Sequence, residues 1–405
     1  MRVVDLHCHY PMHVLAGDAQ AGKEADTVAV MTQRGGDSLT EAFQRAVLHI
    51  ACAVDNYQGP RGTPSVTAQT LLDSPIRVVL SVLYDAFDEI RFDGAPPQPQ
   101  YFDDLIRQTQ IIEADVLALD QPVTIAKSPA QLRSAIDADK LVLIHAVEGG
   151  FHLGPEPENA ANIAKLADVG VAYITVAHLF YRAVATNAPA IPFLSDWVYH
   201  ALFHQPKQGL STLGRTLVSA MVEHGILVDL THMSRAAVSA TLALLDELDP
   251  EKKVPVLATH SAADSVAPAE YNLSDEHIHR IAERRGVIGL IACEHWMAKG
   301  MKAPQTIEQT ASVMIQHIER INDLAKDIPG RQPYESIGIG SDQDGFIKPA
   351  MAGLEMPGGY HNVIAGLQQR YDDVIVERIC WSNALDVLNR GWKGSPSAGP
   401  RRPET

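Results

Sequence analysis

Short apolar runs rich in β-branched residues alternate with helical patterns along most of this chain. That alternation restricts the fold more than any other feature. The runs are residues 3–9, 76–83, 141–147, 171–177, 227–231, 254–259, 287–292 and 336–339. They are almost continuously apolar, as expected of parallel strands covered on both faces. Apolar residues at helical spacing occupy 102–119, 160–167, 213–224, 236–248, 274–284 and 307–325. Gly170, Gly225 and Gly286 stand where a helix end needs a left-handed residue. Eight β-then-α units predict the α/β class and a (β/α)8 TIM barrel. A doubly wound sheet shares the local pattern, because periodicity does not encode strand order. No linker divides the 405 residues, so residues 1–392 read as one barrel.

Residues 11–75 interrupt the alternation and read as an insertion after the first strand. Within them Ser38 and Glu41 form a capping-box pattern, and Phe43, Val47, Ile50 and Val54 follow at helical spacing. A Gly/Pro loop comes next, at 59–64. Residues 393–405 carry no pattern and are expected to be a disordered tail.

The formal charge is -16, spread along the chain, which argues against nucleic acid or an anionic membrane as partner. No run of 18 apolar residues occurs, so no transmembrane helix is expected. The first strand starts too near residue 1 for a signal peptide to precede it. Cys8, Cys52, Cys293 and Cys380 are scattered without a Cys-x-x-Cys pair. Neither a zinc ribbon nor a disulfide framework follows, and a reducing cytoplasm is the expected location.

A barrel places its reactive groups at the C-terminal ends of its strands. Here those ends carry His7 and His9, Glu148 before two glycines, His178, His232, His260, and the pair Asp342 and Asp344. Alone, a strand-end histidine is usually a hydrogen-bonded structural residue, and Asp before Gly a turn former. Such groups at six of eight strand ends instead point to a metal site. Strand alternation puts His7 and His9 on one face with Asp5 a layer deeper, where it can orient a ligand, and turns Cys8 away. His145 falls on the face opposite Glu148 and reads as structural; His152 lies in the loop beyond.

Histidines with a bridging carboxylate suit zinc best. Five ligands exceed one tetrahedral ion but fit two divalent ions sharing Glu148, which can activate a hydroxide between them. Asp342 is the candidate to move the water's proton. If His178 is not a ligand, it can polarise the scissile carbonyl or hold the developing oxyanion.

These motifs resemble the membrane dipeptidase (renal dipeptidase) family, peptidase family M19, of the amidohydrolase superfamily. The matching pieces include Val4-Asp-Leu-His7, His145-Ala-Val-Glu148-Gly-Gly, Ile174-Thr-Val-Ala-His178, Leu227-Val-Asp-Leu-Thr-His232, Pro255-Val-Leu-Ala-Thr-His260 and Gly338-Ile-Gly-Ser-Asp342-Gln-Asp-Gly345. They run in family order across nearly the whole chain. The resemblance implies a barrel with two zinc ions held by His7, Glu148, His232 and His260, with Glu148 bridging. It gives His178 a contact with the substrate carbonyl and Asp342 the proton shuttle. Members hydrolyse dipeptides, often with a D-residue on the C-terminal side, and a homodimer is among the assemblies the resemblance allows.

Two departures stand out. The family usually has His-x-Asp on the first strand, where this chain has His7-Cys8-His9; His9 can still bind metal, as a neutral ligand. The family's arginine for the substrate carboxylate would fall at Tyr271, which cannot form a bidentate charged pair. Arg182, four residues after His178, is the candidate substitute, although a surface or structural role is the commoner one for such a residue. The expected activity is thus amide hydrolysis of a dipeptide or dipeptide-like molecule through a metal-bound hydroxide. The alternatives are a non-dipeptide amide, lactam or lactone and, more remotely, a metal-containing binding barrel without turnover.

Overall fold

The computed structural model describes residues 1–15, 65–90, 94–192, 194–345 and 350–395. The expected helix over 43–54, the loop at 59–64 and residues 396–405 lie outside the described residues. The ends of the 11–75 segment are helical, Pro11–Leu15 and Ala68–Leu72.

Nine strands are described: β1 (Val3–Cys8), β2 (Ile76–Leu83), β3 (Val123–Ile125), β4 (Leu141–Glu148), β5 (Tyr173–Thr175), β6 (Leu227–Asp229), β7 (Val256–Ser261), β8 (Val287–Leu290) and β9 (Ile337–Ile339). All pairings are parallel. β1 lies between β2 and β9, β2 pairs with β4, and β4 to β9 follow in order. The ring therefore closes with eight strands, all of them expected from the sequence. A doubly wound sheet would leave two open edges. β3 stands outside the ring, on the Leu141–Leu143 half of β4, while β5 takes the same edge at Val147 and Glu148. Its three residues stand between Pro122 and Lys127 with no longer apolar run around them, unlike the equally short β5, which lies within 171–177.

The six expected helices are present as Gln100–Ala118, Glu158–Val169, Thr212–His224, Arg235–Leu248, Asp275–Glu283 and Ile307–Ala325. Ser211, Ser234, Ser274 and Thr306 cap four of them, each accepting from a first-turn N–H. Gly170 and Gly225 take the left-handed position. Gly286 does not: Arg285 is the left-handed residue there, at φ 54°. Gly286 instead lets chains approach, since a Cβ would stand 2.4 Å from the Val256 carbonyl oxygen.

Val142, Ile144 and Ala146 share the β4 face of Glu148, by the strand's alternation. With Val4, Leu6, Val78, Leu80, Leu227, Leu257 and Val287 they fill the lower barrel. Val387 and Leu388 of the C-terminal helix Asn383–Gly391 extend this cluster, with Trp381 just before the helix and Trp392 just after it. The chain then crosses the barrel's floor, where Lys393 N–H donates to Gly225 and Ser395 N–H to Lys127. Residues 393–395 thus belong to the barrel and not to a disordered tail.

β1 departs from simple alternation. Asp5 pairs with Val79 and Cys8 with Ser81, so three steps on β1 match two on β2. This bulge lets Leu6 join the interior cluster while His7 also faces inward. Asp5 lands opposite Leu6 and does not line up beneath His7. Its carboxylate accepts from the Ser341 N–H at 2.8 Å and hydroxyl at 2.5 Å. Asp5 therefore anchors the turn carrying Asp342, and it bears on His7 through that residue's backbone, accepting its N–H at 3.2 Å, and not through the ring.

Helix Ile307–Ala325 ties two mouth loops through His317, which is fully buried. Its Nδ1 accepts from Ala263 N–H (3.1 Å) and its Nε2 donates to the Met297 carbonyl (2.8 Å), an arrangement only the neutral ring satisfies. Burial lowers its pKa to about 4, against the smaller opposing effect of the Met297 bond. The unfolded chain takes this proton near pH 6.5 and the folded chain only near 4. Stability from this site is complete above pH 6.5 and declines as pH falls toward 4, by on the order of 3 kcal/mol. His317→Gln should be less stable at neutral pH yet show a shallower decline of unfolding free energy between pH 6.5 and 4.5. Parallel pH curves for the two proteins would contradict this.

Candidate metal centre

Glu148 ends β4 at the barrel mouth and is 1% exposed. Five imidazoles from four strand ends converge on its carboxylate: His7 and His9 at the end of β1, His178 after β5, His232 after β6 and His260 in β7. His7, His178, His232 and His260 place Nε2 at 3.3, 3.4, 3.4 and 3.6 Å from Oε1, and His9 Nε2 is 3.4 Å from Oε2. Asp342 Oδ1 joins at 3.2 Å from His9 Nε2 and 3.7 Å from His7 Nε2. Three groups of these donors lie close enough to hold an ion, and two of them share Glu148: His7 with His9, and His232 with His260; the third is His7, His260 and Asp342. The structure thus brings together every residue expected from the sequence as a ligand, together with Asp342 and His178.

The donors fit a cation. His7 Nε2 and Glu148 Oε2 are buried without a hydrogen-bond partner, an arrangement costing about 1–3 kcal/mol per group unless something satisfies it. His232 Nε2 and His260 Nε2 face one another at 2.9 Å. Burial lowers the pKa of His7 to about 4 and that of His260 well below its ordinary value, favouring the neutral, ligand-competent rings. Burial would raise Glu148, but His178 and His7 outweigh it and hold the carboxylate ionised. Burial pushes Asp342 up to about 7 against the His9 hydrogen bond. Burial works against the charge on His178, yet Glu148 and Glu89 raise it to about 9.

A polar layer beneath sets the tautomers. Asp229, fully buried on β6, accepts from the hydroxyls of Thr175 (2.6 Å), Thr231 (2.8 Å) and Thr259 (2.7 Å), and from the N–H groups of Thr231 and Thr259. The Thr259 hydroxyl has one proton, and Asp229 takes it. Its oxygen can then only accept, from Nδ1–H of His260 at 2.9 Å and of His7 at 3.3 Å. Tyr173 adds a 2.8 Å contact to His7 Nδ1. With the protons on Nδ1, both Nε2 lone pairs face the site. Gly289 and Gly340 admit this layer, since a Cβ at either would stand 2.0 or 1.7 Å from the Thr259 carbonyl oxygen. The sequence offered one signal for Asp229, a charge inside an apolar strand. Thr259 and Tyr173 gave none.

His232 and Asp342 both adopt left-handed backbone, at φ 65° and 54°. Such geometry is costly for residues with a Cβ and turns the chain sharply at the strand end. Gly345 leaves room for the result: a Cβ there would lie 1.9 Å from Asp342 Oδ1 and 2.6 Å from His9 Nε2. Gly345→Ala is expected to leave the barrel folded and to weaken metal binding by about 10–100-fold. Titration of the metal-free protein with zinc checks it, and an unchanged affinity would mean the loop yields.

Other expected residues lie elsewhere. Asp344 does not share the face of Asp342; its carboxylate accepts the N–H groups of Ser65 and Val66 at 3.0 and 2.8 Å. Arg182 is 2% exposed, and its guanidinium donates to the carbonyls of Asp88, Glu89 and Ala95 and to the Tyr101 hydroxyl. Those bonds brace the loop after β2, so Arg182 does not serve as the expected substrate anchor. Tyr271 does adjoin the site, with its ring 5.1 Å from that of His232 and stacked on Trp296. Its hydroxyl donates to the His260 carbonyl at 2.8 Å. His145 lies on the outer face of β4, 3.7 Å from Glu113, and His152 packs on Phe151 near Asp85. Cys8 is buried away from the ligands. Sequence reasoning missed Glu89, whose carboxylate meets His178 Nδ1 at 2.6 Å. Nothing in the sequence marks it out from the neighbouring acidic residues Asp85 and Asp88.

Comparison with known proteins agrees with this geometry. The model of the membrane dipeptidase family (peptidase family M19) matches residues 1–392. "Dipeptidase tcpJ" of Claviceps purpurea is 26% identical over 291 residues, covering 70% of this chain and 59% of the relative. "Dipeptidase ataJ" of Aspergillus terreus is 25% identical over 295 residues, covering 70% of this chain and 66% of the relative. The chain therefore spans somewhat under two thirds of those curated relatives. Among solved structures, a family M19 metallopeptidase termed dipeptidase AC superposes with a TM-score of 0.69 at 17% identity, covering 97% of this chain and 99% of the other. A metallopeptidase from Rhodobacter sphaeroides, liganded with a phosphinate mimic of L-Ala-D-Ala, gives 0.68 at 18% identity, with the same coverage. No helix among the described residues is long and apolar enough to cross a membrane. With its whole barrel matched, this chain belongs to the membrane dipeptidase family, the metal-dependent hydrolases of peptidase family M19.

Proposed function

We propose that this protein is a binuclear hydrolase cleaving the amide bond of a dipeptide or dipeptide-like molecule. The observation that carries the reading is the sharing of Glu148 between two histidine pairs. His7, His9 and Glu148 would hold one ion, and Glu148, His232 and His260 the other. Two divalent ions, zinc from this nitrogen-and-carboxylate donor set, supply Lewis acidity and lower the pKa of water.

The chain's own groups handle the protons. As water adds to the scissile carbonyl carbon, Asp342 accepts its proton at Oδ1. His178 donates from Nε2 to the carbonyl oxygen as negative charge gathers there. When the C–N bond breaks, Asp342 returns the proton to the leaving nitrogen. The products are a carboxylic acid and an amine.

Tyr271 favours a second reading. Its hydroxyl is committed to the His260 carbonyl and its ring to Trp296, so this position presents no charged donor to a substrate carboxylate. An amide with a blocked C-terminus, a lactam or a lactone then fits better. Zinc-loaded protein should be assayed on L,L- and L,D-dipeptides, each free and C-amidated. The phosphinate of the Rhodobacter protein makes Ala-Ala the first L,D pair to try. Cleavage of free dipeptides establishes the first reading. Cleavage of amidated forms alone moves it to the second, and Tyr271→Arg should then raise activity on free dipeptides. Two bound ions with no hydrolysis of any amide or ester would defeat both.

A further inference from the structure

We propose that Glu89 is the positioning residue of His178, fixing the ring's orientation and the proton on Nδ1 so that Nε2 addresses the substrate. This deepens the reading above, since it rests on His178 standing at the carbonyl oxygen.

The two residues come from different parts of the barrel. Glu89 ends the short helix Ala86–Glu89 after β2, and His178 follows β5. Glu89 is fully buried, and three donors converge on its carboxylate. They are Phe180 N–H at 3.0 Å on Oε1, and the Tyr84 hydroxyl at 2.7 Å and His178 Nδ1 at 2.6 Å on Oε2. Burial would raise the Glu89 carboxyl, but His178 beside it and the Tyr84 and Phe180 bonds hold it below its ordinary value. An ionised carboxylate has no proton to give, so the hydrogen between Glu89 and His178 sits on Nδ1. Any proton that Nε2 offers to a carbonyl oxygen is then the ring's second, and that hydrogen bond is charge-assisted.

The ring has little freedom to turn. Tyr84 and His232 pack edge-on against it at centroid distances of 4.8 and 4.5 Å. Nε2 points at Glu148 Oε1, 3.4 Å away. Glu89 is itself fixed, because Arg182 bonds the carbonyls of Asp88, Glu89 and Ala95 while its guanidinium lies 5.1 Å from the Phe151 ring centre. The buried arginine that looked like a substrate anchor thus holds the backbone of the residue that holds the histidine. A tie between loop and strand would need only the Phe180 bond. The short bond to Nδ1 is the part that reaches the reacting centre.

The test uses zinc-loaded full-length protein with ¹⁵N-labelled histidine, the His178 signals being assigned by their absence in His178→Gln. The wild type should show a protonated Nδ1 with a strongly downfield proton. In Glu89→Gln the amide carbonyl keeps the Phe180 N–H, which can only donate, and the NH₂ group faces Tyr84 and the ring, both able to accept, so Nδ1 should lose its proton. kcat should fall by about 10–100-fold with KM within about threefold and metal content unchanged. Glu89→Asp keeps the charge and should be intermediate in both signals; it also serves if Glu89→Gln does not fold. A proton that stays on Nδ1 in Glu89→Gln, a wild-type kcat in that variant, or wild-type behaviour of Glu89→Asp in both signals would overturn the proposal. If the wild type hydrolyses no amide or ester, the functional reading fails, and the nitrogen spectrum still decides what Glu89 does.

Discussion

On the proposed binuclear reading, Glu148→Gln is expected to remove both metal ions together and to abolish hydrolysis. The carboxylate is the one anion within reach of all five imidazoles, at 3.3–3.6 Å. Removing one partner from a buried charged cluster typically costs about 3–5 kcal/mol, which corresponds to on the order of 1000-fold in affinity. Because Glu148 serves both donor groups, the loss should appear at both ions, whereas His260→Gln should weaken one more than the other. Metal analysis after equilibration with a weak chelator, alongside the rate of amide hydrolysis, checks both statements. A Glu148→Gln protein that keeps two ions would show that the carboxylate is not shared.

Asp342→Asn should give the opposite combination, with metal retained and turnover lost. The expected fall in kcat is about 10²–10⁴-fold, the usual contribution of a positioned acid–base group, with KM changed by less than about threefold. Asparagine is the informative substitution because Asp342 sits at φ 54°, a conformation asparagine tolerates better than most residues. Asp342→Ala would mix loss of the carboxylate with backbone strain at the same turn. If Asp342→Asn keeps kcat within threefold, another group moves the proton. If it loses metal in step with activity, Asp342 acts as a ligand through its contacts with His9 and His7.

These outcomes depend on features of unequal visibility in the sequence. The eight ring strands were legible because each is a continuous apolar run, and the mouth residues because they are polar groups at the ends of those runs. His7, His9, Glu148, His178, His232, His260 and Asp342 all stood out in that way, and they meet around one carboxylate. β3 and the bulge in β1 were not legible. The first has no longer apolar run around it, and the second depends on the register between residues 5–8 and 79–81. The place of Asp5 follows directly, since strict alternation puts it beneath His7 and one extra residue moves it to the Ser341 turn, leaving only a backbone bond to His7.

The roles of Arg182 and Glu89 show the same limit from the side of chemistry. An arginine four residues after His178 resembles a substrate anchor when only its charge is known. Its burial and its bonds to the loop after β2 make it a brace. Glu89 is one acid among several until the fold carries it 89 positions along the chain to His178. What the sequence by itself determined is the succession of strands and helices along the chain and the residue types delivered to the strand ends. Periodicity and side-chain chemistry are local properties, and they suffice for that much. The choice between a closed ring and a doubly wound sheet was decided by the pairing of β1 with both β2 and β9. Only the tertiary structure decided which nitrogen each histidine turns inward, which carboxylates reach the centre and which charged groups are committed elsewhere. Those outcomes rest on hydrogen bonds between residues far apart in the chain, as from Asp229 through Thr259 to His7, and no single stretch of sequence contains both ends of such a bond.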